Sequence, residues 1–182
     1  PAEVLDLVAH HPRSSLFAAP TMVRRLTAHA GAYGADTANL QTIVYGGAPM
    51  YLADLEQAMA AFGPKLAQIY GQGESPMTIT SLDKAQHADR SHPRWRERLQ
   101  SVGQAQIVCE VAIGDAAGNV LPPDAIGEVM VRGDSVVPGY WRNAEATAQA
   151  RRQGWWCTGD VGRLDTDGYL TLLDRSKDLI IS

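Results

Sequence analysis

Cysteine, an excess of one charge and long apolar runs are all scarce in this sequence, and each scarcity excludes something. Only two of the 182 residues are cysteine, Cys109 and Cys157. They form no CxxC pair and no Cys/His cluster, so neither a zinc site nor a disulfide framework is implied. A reducing cytoplasm is the default compartment. Lys plus Arg number 16 against 20 Asp plus Glu, a formal net charge of −4. That weak acidity is not the strongly basic balance of a nucleic-acid-binding domain. No apolar run approaches the ~18 residues of a membrane span. The sequence has no GxxxxGK phosphate loop, no GxSxG nucleophile elbow and no HExxH spacing. It has no repeat of fixed period and no low-complexity segment. It starts at Pro1 without an initiator Met or a signal peptide, so the expectation is a segment of a longer protein.

What is present is globular. The chain is 45% apolar and 20% charged, which excludes intrinsic disorder. Its length suffices for one compact domain, or slightly more, with a core that needs no metal or disulfide.

Strand and helix signals alternate in the first half. Ala2–His11 places Val4, Leu5 and Val8 at helical spacing between Pro1 and Pro12. Ser15–Ala18 is a short strand. Thr21–Ala30 is a helix with Gly31 just past its end. Thr42–Tyr45 is a β-branched strand before Gly46-Gly47, Tyr51–Phe62 an amphipathic helix closed by Gly63-Pro64, and Leu66–Tyr70 another strand. This alternation predicts parallel βαβ units. After Ser101 short strands and turns dominate: Gln106–Ile113, Gly127–Arg132 and Tyr169–Leu173, with Gly114–Asn119 and Asp165–Gly168 as turns. Only Asn143–Arg152 reads as helix there.

Gly71-Gln72-Gly73-Glu74-Ser75-Pro76 comes within one residue of the GxGxxG dinucleotide fingerprint. That motif needs a helix to start at once, so that its N-terminal amides meet a pyrophosphate. Met77–Thr80 reads as strand, so a Rossmann site is rejected. Other chemistry remains open. Gly46-Gly47 ends a strand and lets a flat ligand approach the backbone. Tyr70 ends the next strand, with Glu74 close behind, and ligands of open α/β sheets bind outside the carboxyl ends of strands. A ring and a carboxylate there could stack a base and hold a divalent cation. The ordinary readings are a packed Tyr, a solvated Glu and a simple turn. Thr158-Gly159-Asp160 offers a carboxylate for ribose hydroxyls or is a surface turn. Arg175, in the charged run Asp174–Asp178, could bind phosphate or ribose oxygens, or lie in a solvated connection. Arg90, Arg94, Arg96 and Arg98 surround Trp95, and a solvated helix face explains them better than an anion site.

Taken in order, five blocks resemble the adenylate-forming ligase superfamily. They are VYGGAPM from Val44, IYGQGES from Ile69, GEVMVRGDSVVPGYW from Gly127, WWCTGDVGRLDTDGYL from Trp155 and DRSKDLI from Asp174. The resemblance covers nearly the whole chain, and the DRSKD and GGAP blocks are closest to the acyl-CoA synthetase branch. It implies an α/β fold, a partial parallel sheet with flanking helices followed by a small β-barrel-like subdomain. Residues 1–103 would be part of the second α/β subdomain, 104–175 the barrel-like subdomain, and 176–182 the hinge to a C-terminal domain.

The resemblance also implies roles. Gly46, Gly47 and Ala48 would wall the adenine and acyl pocket. Tyr70 would stack on adenine, with Gly71 and Gln72 passing close to the nucleotide. Glu74 would bind Mg²⁺ bridging the phosphates of ATP and so act in catalysis. Asp160 would hold the ribose hydroxyls, Leu172 would touch adenine, and Arg175 would reach the ribose as a second catalytic residue. Lys177 would sit at the hinge. Gly73 departs from the family pattern, which has Thr before the Glu. The family's phosphate loop is expected upstream of Pro1 and its lysine-bearing domain beyond Ser182, so the 182 residues alone are expected to be inactive. The implied substrates are a carboxylic acid, ATP and coenzyme A, with no nucleic acid and no membrane span. Exposed sheet edges favour self-association. An amino-acid-activating domain that loads a carrier protein and a non-catalytic nucleotide-binding module are the alternatives.

Overall fold

The computed structural model describes residues 1–175, which fall into two compact units. The first comprises Pro1–Ile69 and Leu82–Gln100, and the second comprises Tyr70–Ser81 and the chain from Ser101 onward.

The first unit is built on parallel strands. In chain order its elements are α1 (Ala2–His10), β1 (Ser14–Ala18), α2 (Pro20–Tyr33), β2 (Leu40–Tyr45), α3 (Leu52–Phe62) and the start of β3 (Leu66–Gln72). β1 pairs parallel with β2, Leu16 opposite Ile43, and β2 pairs parallel with β3, Ile43 opposite Leu66. Parallel strands need crossovers, and α2 and α3 supply them. Each helix buries one apolar face, Val23 and Leu26 of α2 and Leu55, Ala58 and Phe62 of α3, and the strands bury Leu40, Ile43 and Leu66. Fully burying each of the larger side chains stabilises the fold by about 1.5–3 kcal/mol.

α3 ends where expected. Gly63 adopts φ +73 and its N–H donates to the Met59 carbonyl. α2 does not stop at Ala30. It runs through Gly31 to Tyr33 and is capped by Gly34 at φ +72. Gly31 has open space around it, and one glycine costs a helix only about 1 kcal/mol. Two short helices follow, α4 (Lys84–Ala88), entered through an Asp83 and Gln86 capping box, and α5 (Trp95–Gln100). Tyr45, at the end of β2, bonds Gln68 Oε1 (3.3 Å) and the fully buried His87 (2.9 Å).

In the second unit the end of β3 is followed by β4 (Ser75–Leu82), which pairs antiparallel with β5 (Gln104–Ala105). A second, curled antiparallel sheet has the order β10-β9-β7-β6, formed by β6 (Cys109–Gly114), β7 (Ile126–Gly133), β9 (Trp155–Leu164) and β10 (Leu170–Arg175). α6 (Ala144–Gln149) and β8 (Arg151–Arg152) lie between β7 and β9 in the chain, and β8 pairs with β9. Register shifts at Glu128–Met130 and Leu172–Asp174 interrupt the ladders, and such bulges bend and twist a sheet. The core joins Tyr70, Ile79, Ile113, Val129, Val131, Trp156 and Leu170.

The expected α/β class with a barrel-like second part is what folds. Beyond shifts of one or two residues at strand ends, three readings in the second unit change. The strand expected from Gln106 begins at Cys109, because Gln106–Cys109 closes a turn that leaves Ile107 wholly exposed. The helix expected over Asn143–Arg152 is only α6, since Arg151 and Arg152 pair with Trp156 and Trp155. Thr158-Gly159-Asp160 is not a surface turn but lies inside β9, the longest strand described.

Candidate functional site

Parallel pairing sends the carboxyl ends of β2 and β3 to the same edge of the first unit's sheet. Gly46, Gly47 and Ala48 follow β2 there. Gly46 is buried, and a Cβ on it would collide with the Ile69 carbonyl oxygen, so only glycine lets the chain lie this close to β3. Gly47 turns the chain at φ +80, which favours glycine, and Ala48 is exposed.

In the second unit three of the expected residues meet. Tyr70 Oη donates to Asp160 Oδ2 at 2.5 Å, and Gln72 Nε2 donates to the same oxygen at 2.7 Å. The Gln72 amide also donates to the Thr158 carbonyl at 2.9 Å. Asp160 is 7% exposed and Tyr70 9%, so the carboxylate sits in surroundings where charge-assisted bonds are strong. The Tyr70 ring is part of the unit's core, so packing accounts for most of its surface.

The backbone that presents Asp160 is itself ordered by side chains. Thr158 Oγ1 donates to the Val129 carbonyl at 2.8 Å and accepts the Asp160 N–H at 3.1 Å. Gly159, at φ +75, donates its N–H to Glu128 Oε1, and the other Glu128 oxygen pairs with Arg152 at 2.8 Å. Arg175 of β10 stands opposite Asp160 of β9 in the ladder, which puts the two expected ribose residues at one register position. Leu172 is half-buried against the core. Gly71 is hemmed in by the Ser75 carbonyl and the Met77 backbone.

Glu74 is half-buried just before β4. Its Oε1 accepts a hydrogen bond from Tyr140 Oη at 2.6 Å, and its carbonyl accepts the Val137 N–H at 2.8 Å. The carboxylate raises the pKa of the Tyr140 phenol above its ordinary value, chiefly through that hydrogen bond. Gly73 is exposed and a Cβ there would meet nothing. Among the described residues no three His, Cys, Asp or Glu side chains gather as a metal cage. A single carboxylate still suits Mg²⁺, which is commonly held by one or two carboxylates with nucleotide phosphates and water supplying the rest. Lys177 and the rest of the expected hinge lie outside the described residues.

Sequence reasoning missed Tyr140 and Thr158. Both stand inside blocks that carried the resemblance, PGYW and WWCTGD, which was the available signal. The arginine patch is a stacking arrangement: Arg90 and Arg96 lie 4.2 and 4.9 Å from the Trp95 ring centroid, and Arg96 pairs with Glu56. No helix among the described residues is long and apolar enough to cross a membrane.

Comparison with known proteins places the chain among relatives. Residues 1–141 match the family model described as AMP-binding enzyme. The medium/long-chain-fatty-acid–CoA ligase FadD8 of Mycobacterium tuberculosis is 34% identical over the whole chain, and feruloyl-CoA synthase of Amycolatopsis sp is 36% identical over the same length. The chain spans about a third of these relatives, 31% and 35% of their respective lengths. Among solved structures, the amide bond synthetase McbA from Marinactinospora thermotolerans superposes with a TM-score of 0.87 at 38% identity, covering 96% of this chain and 34% of that one. O-succinylbenzoate coenzyme A synthetase from Bacillus subtilis, in complex with AMP, gives 0.84 at 31% identity, covering 100% and 35%. The family match over residues 1–141, the two acid–CoA ligase relatives and the shared fold lead to one assignment: this chain belongs to the AMP-binding enzyme family.

Proposed function

We propose that the chain forms part of an AMP-forming acid–thiol ligase of the acyl-CoA synthetase type. The observation that carries the reading is the convergence of Tyr70 and Gln72 on the buried carboxylate of Asp160, in a chain of this family. The reaction has two steps. A carboxylate oxygen of the acid attacks the α-phosphorus of ATP, and pyrophosphate leaves. The sulfur of coenzyme A then attacks the acyl carbon of the acyl-adenylate, the proton of the thiol is lost, and AMP leaves.

The residues divide the work. Asp160 accepts the ribose hydroxyls, a role suited to a carboxylate that takes up to about four hydrogen bonds. Arg175, at the register position of Asp160 on the neighbouring strand, is assigned to the ribose. Gly46, Gly47 and Ala48 form a wall beside adenine, and Tyr70, Gly71, Gln72 and Leu172 line the nucleotide. Glu74 is the ligand for Mg²⁺, which when bound neutralises phosphate charge. No side chain becomes a nucleophile; catalysis is positioning and charge stabilisation. Lys177 is assigned to the hinge. Cys109 and Cys157 are both free thiols, in keeping with a cytoplasmic enzyme.

Pyrophosphate exchange into ATP, measured on the protein that carries this chain with a panel of aliphatic and aromatic carboxylic acids, tests the reading. Acid-dependent exchange followed by CoA thioester formation is expected. Binding of ATP without exchange for any acid would instead support a non-catalytic nucleotide-binding module.

A second reading concerns the acceptor. The likeness to an amide bond synthetase, 38% identical, and to the fatty acid–acyl-carrier-protein ligase ScoC of Streptomyces coeruleorubidus, 32% identical, favours testing amines and carrier-protein thiols beside CoA.

A further inference from the structure

One short segment of the second unit holds Glu74 at both ends of the residue. The Val137 N–H bonds its carbonyl, and three residues later Tyr140 Oη bonds its carboxylate at 2.6 Å. Tyr140 is itself fixed from several sides. Its ring meets Trp156 edge-on, centroids 5.3 Å apart at 67°. Its N–H donates to Thr147 Oγ1 at 2.9 Å, and that hydroxyl donates to the Asn143 carbonyl at 2.8 Å. Gly139 permits the close pass, since a Cβ there would stand 2.8 Å from Thr147 Cγ2. In that bond the phenol O–H is the donor and the carboxylate oxygen the acceptor. Among the described residues the second oxygen, Glu74 Oε2, has no hydrogen-bond partner.

We propose that Tyr140 is a positioning residue for Glu74: its hydroxyl pins one carboxylate oxygen and leaves the other to a divalent cation carried in with the nucleotide. The inference rests on the reading of Glu74 as the Mg²⁺ ligand. Its physical basis is that an unrestrained glutamate side chain loses rotamer freedom when it ligates, whereas one already held by a charge-assisted bond has lost it on folding. Partners behind a metal ligand typically change metal affinity or activity by 10–100-fold when removed.

The test uses the protein that carries this chain and three forms of it: wild type, Tyr140→Phe and Glu74→Gln. Binding of Mn²⁺ in the presence of a non-hydrolysable ATP analogue is followed by the electron paramagnetic resonance signal of the free ion. Tyr140→Phe keeps the ring on Trp156 and should weaken Mn²⁺ binding by about 10-fold. In pyrophosphate exchange, the half-saturating Mg²⁺ should rise by a similar factor while the rate at saturating Mg²⁺ returns to wild type. A merely structural tie would lower the rate at every Mg²⁺ concentration. Unchanged Mn²⁺ binding in Glu74→Gln would remove the metal role of Glu74 and this inference with it. Weakened binding in Glu74→Gln with wild-type affinity in Tyr140→Phe would overturn this inference alone. Glu74→Asp supplies a second check that does not depend on Tyr140→Phe being well folded by itself. The shorter side chain falls short of Tyr140, so adding Tyr140→Phe should cost nothing further, and an additive loss counts against the proposal.

Discussion

Tyr70 and Asp160 lie ninety positions apart in sequence and share a hydrogen bond of 2.5 Å. The bond ties the end of β3 to the middle of β9 and fixes a carboxylate that Gln72 grips from the same strand. Tyr70→Phe removes one donor from a buried carboxylate. It should destabilise the fold by about 1–3 kcal/mol, read as a lower urea midpoint with an unchanged slope. Asp160→Ala leaves the Tyr70 hydroxyl without this acceptor and should also raise the KM for ATP more than it lowers kcat, since ribose contacts are alike in ground and transition states. A fall in kcat at unchanged KM would argue against the ribose role.

Glu74→Ala should cut adenylation strongly in the protein that carries the chain, because a ligand of a charge-neutralising cation is lost. The deficit should be largest at limiting Mg²⁺. Wild-type kinetics there would exclude Glu74 from the metal.

Acid should weaken the first unit through His87. Burial holds the His87 pKa below its ordinary value. Its ring is held at both nitrogens: Nδ1 donates to the Asp83 carbonyl at 2.7 Å, and Nε2 lies 2.9 Å from the Tyr45 hydroxyl. Above an unfolded pKa of about 6.5 both states are neutral and the stability is complete. Below it the unfolded chain takes up a proton that the folded chain refuses, so stability falls with pH until the depressed folded pKa is reached. Thermal melting at pH 7.5 and pH 5.5 should show a drop that His87→Gln reduces. An equal drop in that variant would assign the pH dependence to other groups.

How much of this was legible from the residues depends on range. The helix expected over Tyr51–Phe62 and the strand expected over Thr42–Tyr45 are written locally, in periodicity and in the glycines that end them, and form as Leu52–Phe62 and Leu40–Tyr45. The resemblance blocks named Tyr70, Gln72 and Asp160, but not that Tyr70 and Gln72 bond the same oxygen. Thr158-Gly159-Asp160 reads either as a ribose carboxylate or as a surface turn, because Thr, Gly and Asp are turn formers; sheet pairing overrides that propensity and makes a bulged strand of it. The β-branched run at Ile107-Val108 failed the other way: neither residue found a neighbouring strand, and both stay exposed. Tyr140 and Glu74 are 66 residues apart, and no spacing rule links them.

Glycine at 46 and at 73 should respond oppositely to the same change. At Gly46 a methyl group would drive into the Ile69 carbonyl oxygen, which is held in β3 and cannot swing aside as a flexible side chain would. Gly46→Ala must therefore push β2 and β3 apart at the edge where the nucleotide is proposed to sit. Overpacking of this kind costs about 1–3 kcal/mol. It should lower the melting temperature and weaken AMP binding together. At Gly73 the same methyl group meets nothing within 4 Å, and the backbone there is not left-handed. Gly73→Ala should stay within about 0.5 kcal/mol of wild type, as exposed substitutions usually do. Chemical denaturation of the two variants side by side decides it. Equal stabilities would mean that β3 gives way at Ile69 and that Gly46 is not needed for close approach.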